Sequence, residues 1–92
     1  MAAIQAAAVT ELYDNESEDR LVVYQLRGVD TGDTYDVAGN FYKAFSATAL
    51  PASGSLSGAI AAAVSAGTTI TFTLTSLADE TVVLVVRGSK AV

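Results

Sequence analysis

The stretch Thr68–Thr75, TTITFTLT, sets Ile70, Phe72 and Leu74 between Thr69, Thr71, Thr73 and Thr75. A strict period of two sustained over that length fits a half-buried β-strand and no amphipathic helix. Thr81–Arg87, TVVLVVR, has the same β-branched character but is apolar at both parities, which predicts a strand that is central in its sheet or covered on both sides. Arg20–Gly28, RLVVYQLRG, places Val22, Tyr24 and Leu26 on one face and Leu21 and Val23 on the other beside Gln25 and Arg27.

Weaker segments follow the same logic. Val9–Tyr13 supplies a strand partner for Arg20–Gly28 across the polar run Asp14–Asp19, giving a hairpin with an acidic tip. Val29–Asp33 reads as a turn and Thr34–Val37 as a short strand, and Phe41–Leu50, whose aromatics stand at 41, 42 and 45, reads as a longer strand only from its context. Residues 51–58, PASGSLSG, form a connecting loop. In Ala59–Ala66 the alternation of Ile60, Ala62 and Val64 competes with the helix preference of alanine; Gly67 and the threonine strand after it favour a hairpin, hence a strand. No internal repeat is visible. The prediction is an all-β fold, a small antiparallel β-sandwich or open barrel of six to eight short strands, in a single domain over residues 1–92 with 1–8 as a flexible N-terminal arm.

A chain of 92 residues buries a modest core without help from metals or cross-links. It has no cysteine, which excludes disulfides and thiolate metal sites, and no histidine, which removes the usual general base and the commonest nitrogen ligand. The net charge of −5 gives no basic field for nucleic acid or anionic membrane. Residues 1–46 hold eight acids and three bases, whereas 47–92 hold Asp79 and Glu80 against Arg87 and Lys90. One end of the molecule is therefore expected to be acidic and the other nearly neutral. The opening MAAIQAAAVTELYD lacks the basic residue of a secretory signal, and no segment nears the ~20 apolar residues of a membrane span. A soluble protein made in the cytoplasm is expected. Apolar residues make up 51% of the chain and mean hydropathy is +0.41, so part of the apolar surface is expected to meet another chain.

Few residues invite chemistry. Asp14, Glu16, Glu18 and Asp19 resemble a solvated turn more than a calcium loop, whose ligand spacing they lack. Asp30, Asp33 and Asp36 are weak metal candidates: along an extended chain their side chains alternate faces, and aspartate in turns ordinarily bonds local backbone amides. Tyr35, Phe41, Tyr42 and Phe45, with Lys43 among them, read first as core of a small domain without tryptophan and second as a binding platform. Serine and threonine nucleophiles have no histidine to activate them, and no phosphate-binding glycine motif occurs. No enzymatic activity and no cofactor are expected.

The segment GTTITFTLTSLADETVVLVVRG (67–88) and the run DTGDTYDVAGNFYKAF (30–45) resemble the small capsid decoration (cement) or auxiliary head proteins of tailed bacteriophages. That resemblance implies a structural virion protein on the capsid exterior, bound to the major capsid protein, bridging its subunits and often trimeric; it transfers no site residue. The contact mode expected from the residues themselves is an apolar strand surface or unpaired sheet edge, with Leu21, Val23, Val83, Val85, Tyr35, Phe41 and Tyr42 as interface candidates. A phage tail or neck component, and an independent carbohydrate- or protein-binding module using the aromatics, are the alternative readings.

Overall fold

The computed structural model describes residues 3–15, 17–52, 59–75 and 80–90. Glu16, residues 53–58, where a connecting loop is expected, and residues 76–79, where a turn is expected, lie outside the described residues. Among the described residues seven strands form: β1 (Val9–Asp14), β2 (Asp19–Val29), β3 (Thr34–Asp36), β4 (Phe41–Pro51), β5 (Ala59–Ala66), β6 (Thr69–Thr75) and β7 (Glu80–Lys90). They make two antiparallel sheets, one in the order β1-β2-β7-β4 and the other β3-β6-β5. This is the small all-β sandwich that the alternation predicted.

Alternation decides which side chains enter the core. Val22, Tyr24 and Leu26 of β2 stand opposite Val86, Leu84 and Val82 of β7, and all six are at most 1% exposed. Ile70, Phe72 and Leu74 of β6 face them from the second sheet, extended by the half-buried Ile60, Ala62 and Val64 of β5. The β7 strand is central, paired on both edges, but only one of its faces is buried. Gly67, at φ 52, makes the tight turn between β5 and β6, a backbone state that a side chain resists.

Phe41, an interface candidate by sequence, is 1% exposed and belongs to the core. The expected division of charge between the two halves of the chain also gives way, because the halves interleave: β7 lies between β2 and β4. Charge divides by sheet instead. Asp36 is the one charged residue among the strands of the second sheet.

Residues 3–8 run against the sandwich: Ala3 bridges to Thr34, the Ile4 N–H donates to the Thr34 carbonyl at 2.7 Å, and Ile4 packs on the core. A short 3-10 helix (Ala6–Ala8) then leads into β1, with its Ala7 carbonyl accepting from Arg27.

A polar cluster closes the core beside β1. Arg20 makes a bidentate pair with Asp14, with Nε to Oδ1 at 2.9 Å and Nη2 to Oδ2, and its Nη1 donates to the Asn40 carbonyl at 2.8 Å. The Asn40 amide in turn donates to the Tyr24 hydroxyl at 2.7 Å and to Glu11. Tyr24 meets Tyr35 edge to face, centroids 5.4 Å apart. Burial pushes the Tyr24 phenol up from 10.0 to about 12, against the opposing hydrogen bond from Asn40. The neutral phenol is thus favoured by folding, so its stabilisation is complete below pH 10 and is lost as pH rises to about 12. We expect an alkaline loss of about 2–3 kcal/mol across that window from this group. Denaturant midpoints of the wild type and Tyr24→Phe below pH 10 and near pH 12 will check it, the loss being smaller in the variant.

Candidate functional interface

Cross-strand partners in a sheet share a face, so the register reads out what the four-stranded sheet turns away from the core. One row is Tyr13, Val23, Val85 and Thr48; the next is Thr10, Gln25, Val83 and Leu50; a third is Leu21, Arg87 and Ser46. Leu21, Val23, Val83 and Val85, four of the sequence-derived candidates, thus converge on this outer face, where all are half-buried. They are flanked by Tyr13, 55% exposed, and Leu50, 47% exposed.

Tyr13 and Leu50 were not among the candidates. Leu50 was legible, being in phase with Ser46 and Thr48 on β4. Tyr13 was not: strict alternation from Thr10 puts Leu12 outward, but a register shift between Glu11 and Tyr13 makes Leu12 the extra residue and turns Tyr13 onto the face.

At one end of the face Glu18, Asp19, Phe45, Arg87, Gly88 and Ser89 line an open depression of about 550 Å³. Phe45, the unpaired residue between Ala44 and Ser46 in the β4 register, is 62% exposed there. Arg87 binds Asp19 through two hydrogen bonds, Nε to Oδ1 at 3.0 Å and Nη2 to Oδ2 at 2.6 Å. Those bonds hold the Asp19 carboxyl below its ordinary range. Both side chains are largely exposed, so the pair adds little to stability. Its effect is to leave no net charge at the centre of this end of the face.

The remaining candidates are placed apart. Tyr42 is 72% exposed on β4, and Tyr35 is half-buried against Tyr24 on the β3 side. The aromatic cluster of the sequence is therefore dispersed between interior and surface. Asp33 is 7% exposed, and its Oδ2 accepts the Asp30 N–H at 2.9 Å. Asp36 Oδ1 accepts from the Ala38 N–H at 2.9 Å and the Thr68 hydroxyl at 2.7 Å. These carboxylates shape turns, and among the described residues no group of three or more acidic side chains is placed to hold a metal ion. In the acidic hairpin, Asp14 engages Arg20 and Asp19 engages Arg87, while the Asn15 side chain accepts the backbone N–H groups of Ser17 and Leu21.

No family profile, curated protein or solved structure gives a significant match to this chain.

Proposed function

We propose that the chain is a non-catalytic assembly protein that docks through the outer face of its four-stranded sheet. In keeping with the resemblance of its strands to decoration proteins, the partner is the exterior of a phage capsid, where the chain bridges major capsid protein subunits. The observation that carries this reading is the convergence of Leu21, Val23, Val83 and Val85, rimmed by exposed Tyr13 and Leu50, on one face where Arg87, beside Leu21, is paired with Asp19.

Strand spacing and rise make a four-stranded, seven-residue face about 450 Å² in plan, below the ~800 Å² that each partner contributes to a standard stable interface. Such a contact is weak singly and gains strength from repetition, which suits a protein arrayed on a lattice of identical sites. Reinforcing a shell in this way needs no reaction.

Co-sedimentation with empty and filled particles from the same source tests the reading. Val85→Lys at the centre of the face, and Leu50→Lys at its exposed rim, are each expected to weaken shell binding at least about ten-fold, since an unpaired charge is costly to bury. Circular dichroism of both variants should stay that of the wild type. Binding that both variants retain, or particles that never bind the wild type, would overturn it.

A further inference from the structure

We infer that the depression at the end of the outer face is a saccharide-binding site, with Phe45 as its stacking platform and the Arg87–Asp19 pair as its hydrogen-bonding edge. Over Phe41–Ala47 the strand β4 turns a residue inward at every third position. Phe41 and Ala44 are buried and Ala47 packs on the core, while Tyr42 with Lys43, and then Phe45 with Ser46, are exposed between them. Strict alternation from Phe41 would instead turn Lys43 and Phe45 inward and Ala44 outward. The two register shifts of β4 reverse that segment alone and cancel from Ala47 onward. Their joint effect is to bury an alanine in place of a phenylalanine and to set the Phe45 ring, 62% exposed, against the depression. Burial of apolar area by itself favours the opposite exchange, and bulges are a recurrent means of re-aiming a side chain at a site.

Opposite the ring stands a polar wall that is already fixed. Arg87 and Asp19 hold each other side by side through two hydrogen bonds. The guanidinium spends on them two of its five N–H groups and the carboxylate two of its roughly four acceptor positions, so donors and acceptors remain next to one another for a ligand. The register sets Ser89 between Asp19 of β2 and Lys43 of β4, and Glu18 precedes Asp19 in the lining. Two acids and two bases therefore surround the depression, and no net charge selects an ionic ligand. Arg87, engaged with a carboxylate of its own chain, is not open as a bidentate clamp for another anion.

A neutral pyranose has the matching chemistry. One of its faces presents C–H groups, which pack on the electron-rich face of an aromatic ring, and its edge presents vicinal hydroxyls that both donate and accept. A purely apolar ligand would strand the remaining groups of the ion pair without partners. The volume of about 550 Å³ lies within the range of small-ligand sites and takes one or two sugar rings. Tyr42, exposed three residues before Phe45, stands about 10 Å from it along the strand, in position to meet the next rings of a longer chain. Neither Val85 nor Leu50 lines the depression, so the site stands or falls separately from shell docking.

Titration of the isotope-labelled chain with cellobiose, lactose, maltose and chitobiose, followed by nuclear magnetic resonance of the backbone amides, tests the site. At least one of these sugars is expected to give saturable shifts at millimolar concentration, largest at Phe45, Arg87 and Ser89. Phe45→Ala should weaken that binding at least about ten-fold, and Phe45→Tyr, which keeps the ring, should hold it near the wild type. Arg87→Met should weaken it as well, and Val85→Lys should leave it unchanged. The dispersed spectrum of each variant verifies its fold. No saturable shift with any of the sugars, an affinity unchanged in Phe45→Ala, or inorganic phosphate shifting Arg87 where the sugars do not, overturns the site. So does a Phe45→Ala chain that loses shell binding while no sugar binds the wild type, since the depression is then part of the protein-docking face. Sugar binding by a chain that never binds particles sinks the docking reading and upholds this one.

Discussion

Replacing Gly88 with alanine is expected to cost about 3 kcal/mol or more, lowering the thermal midpoint by roughly 12–24 °C. Gly88 lies on the inner face of β7, opposite Arg20 on one side and Ala44 on the other. A Cβ there would fall 2.2 Å from the Lys43 carbonyl oxygen and 2.9 Å from the Ala44 Cα. Both are backbone atoms, so no rotamer change relieves the clash, and the Ala44 N–H is already bonded to Gly67 of the β5–β6 turn. Space for a methyl group requires β4 to lift from β7 just where it also ties the two sheets together. Gly39→Ala is the control: its Cβ meets nothing within 4 Å, and a change within about 0.5 kcal/mol is expected. Thermal melts of the two variants decide the matter, and a Gly88→Ala midpoint level with that of Gly39→Ala would refute the close approach.

The second large effect is at Arg20. Two arginine–aspartate pairs of similar bidentate geometry stand on this sheet and differ in burial. The side chains of Arg20 and Asp14 are 12% and 11% exposed, those of Arg87 and Asp19 60% and 62%. Removing one partner of a buried pair strands the other charge, and Arg20→Met is expected to lose about 3 kcal/mol. It also takes a donor from the Asn40 carbonyl, whose residue holds the Tyr24 hydroxyl. Arg87→Met should lose far less, since water solvates the aspartate it leaves. The double variant Asp14→Leu/Arg20→Met should recover a substantial part of the Arg20→Met loss, because no charge is then left unpaired. Chemical denaturation of the four chains gives the comparison, and equal losses for Arg20→Met and Arg87→Met would show that burial does not set the difference.

These residues mark how far the sequence could be read. β2, β6 and β7 follow from alternation or a β-branched run, and the buried members of β2 and β6 are those that the period of two assigns inward, whereas Phe41–Leu50 and Ala59–Ala66 read as strands only from their context. The convergence of Leu21, Val23, Val83 and Val85 on one face was implied by the same parity once β2 and β7 became neighbours. Gly88 read only as the end of a valine strand, and Arg20 only as the start of another. The importance of both comes from chain segments far away in sequence, Lys43–Ala44 for the first and Asn40 for the second.

The sequence by itself determined the all-β class, the approximate positions of the strands and the inward face of β2 and β6, because these depend on side-chain period and local turn chemistry. The tertiary structure decided everything that rests on which strands are neighbours: that Phe41 is core and not surface, that charge divides by sheet, and that a bulge turns Tyr13 outward. Strand pairing is long-range, and one added residue in a strand reverses the face of all that follow it. No local pattern in the chain encodes that choice.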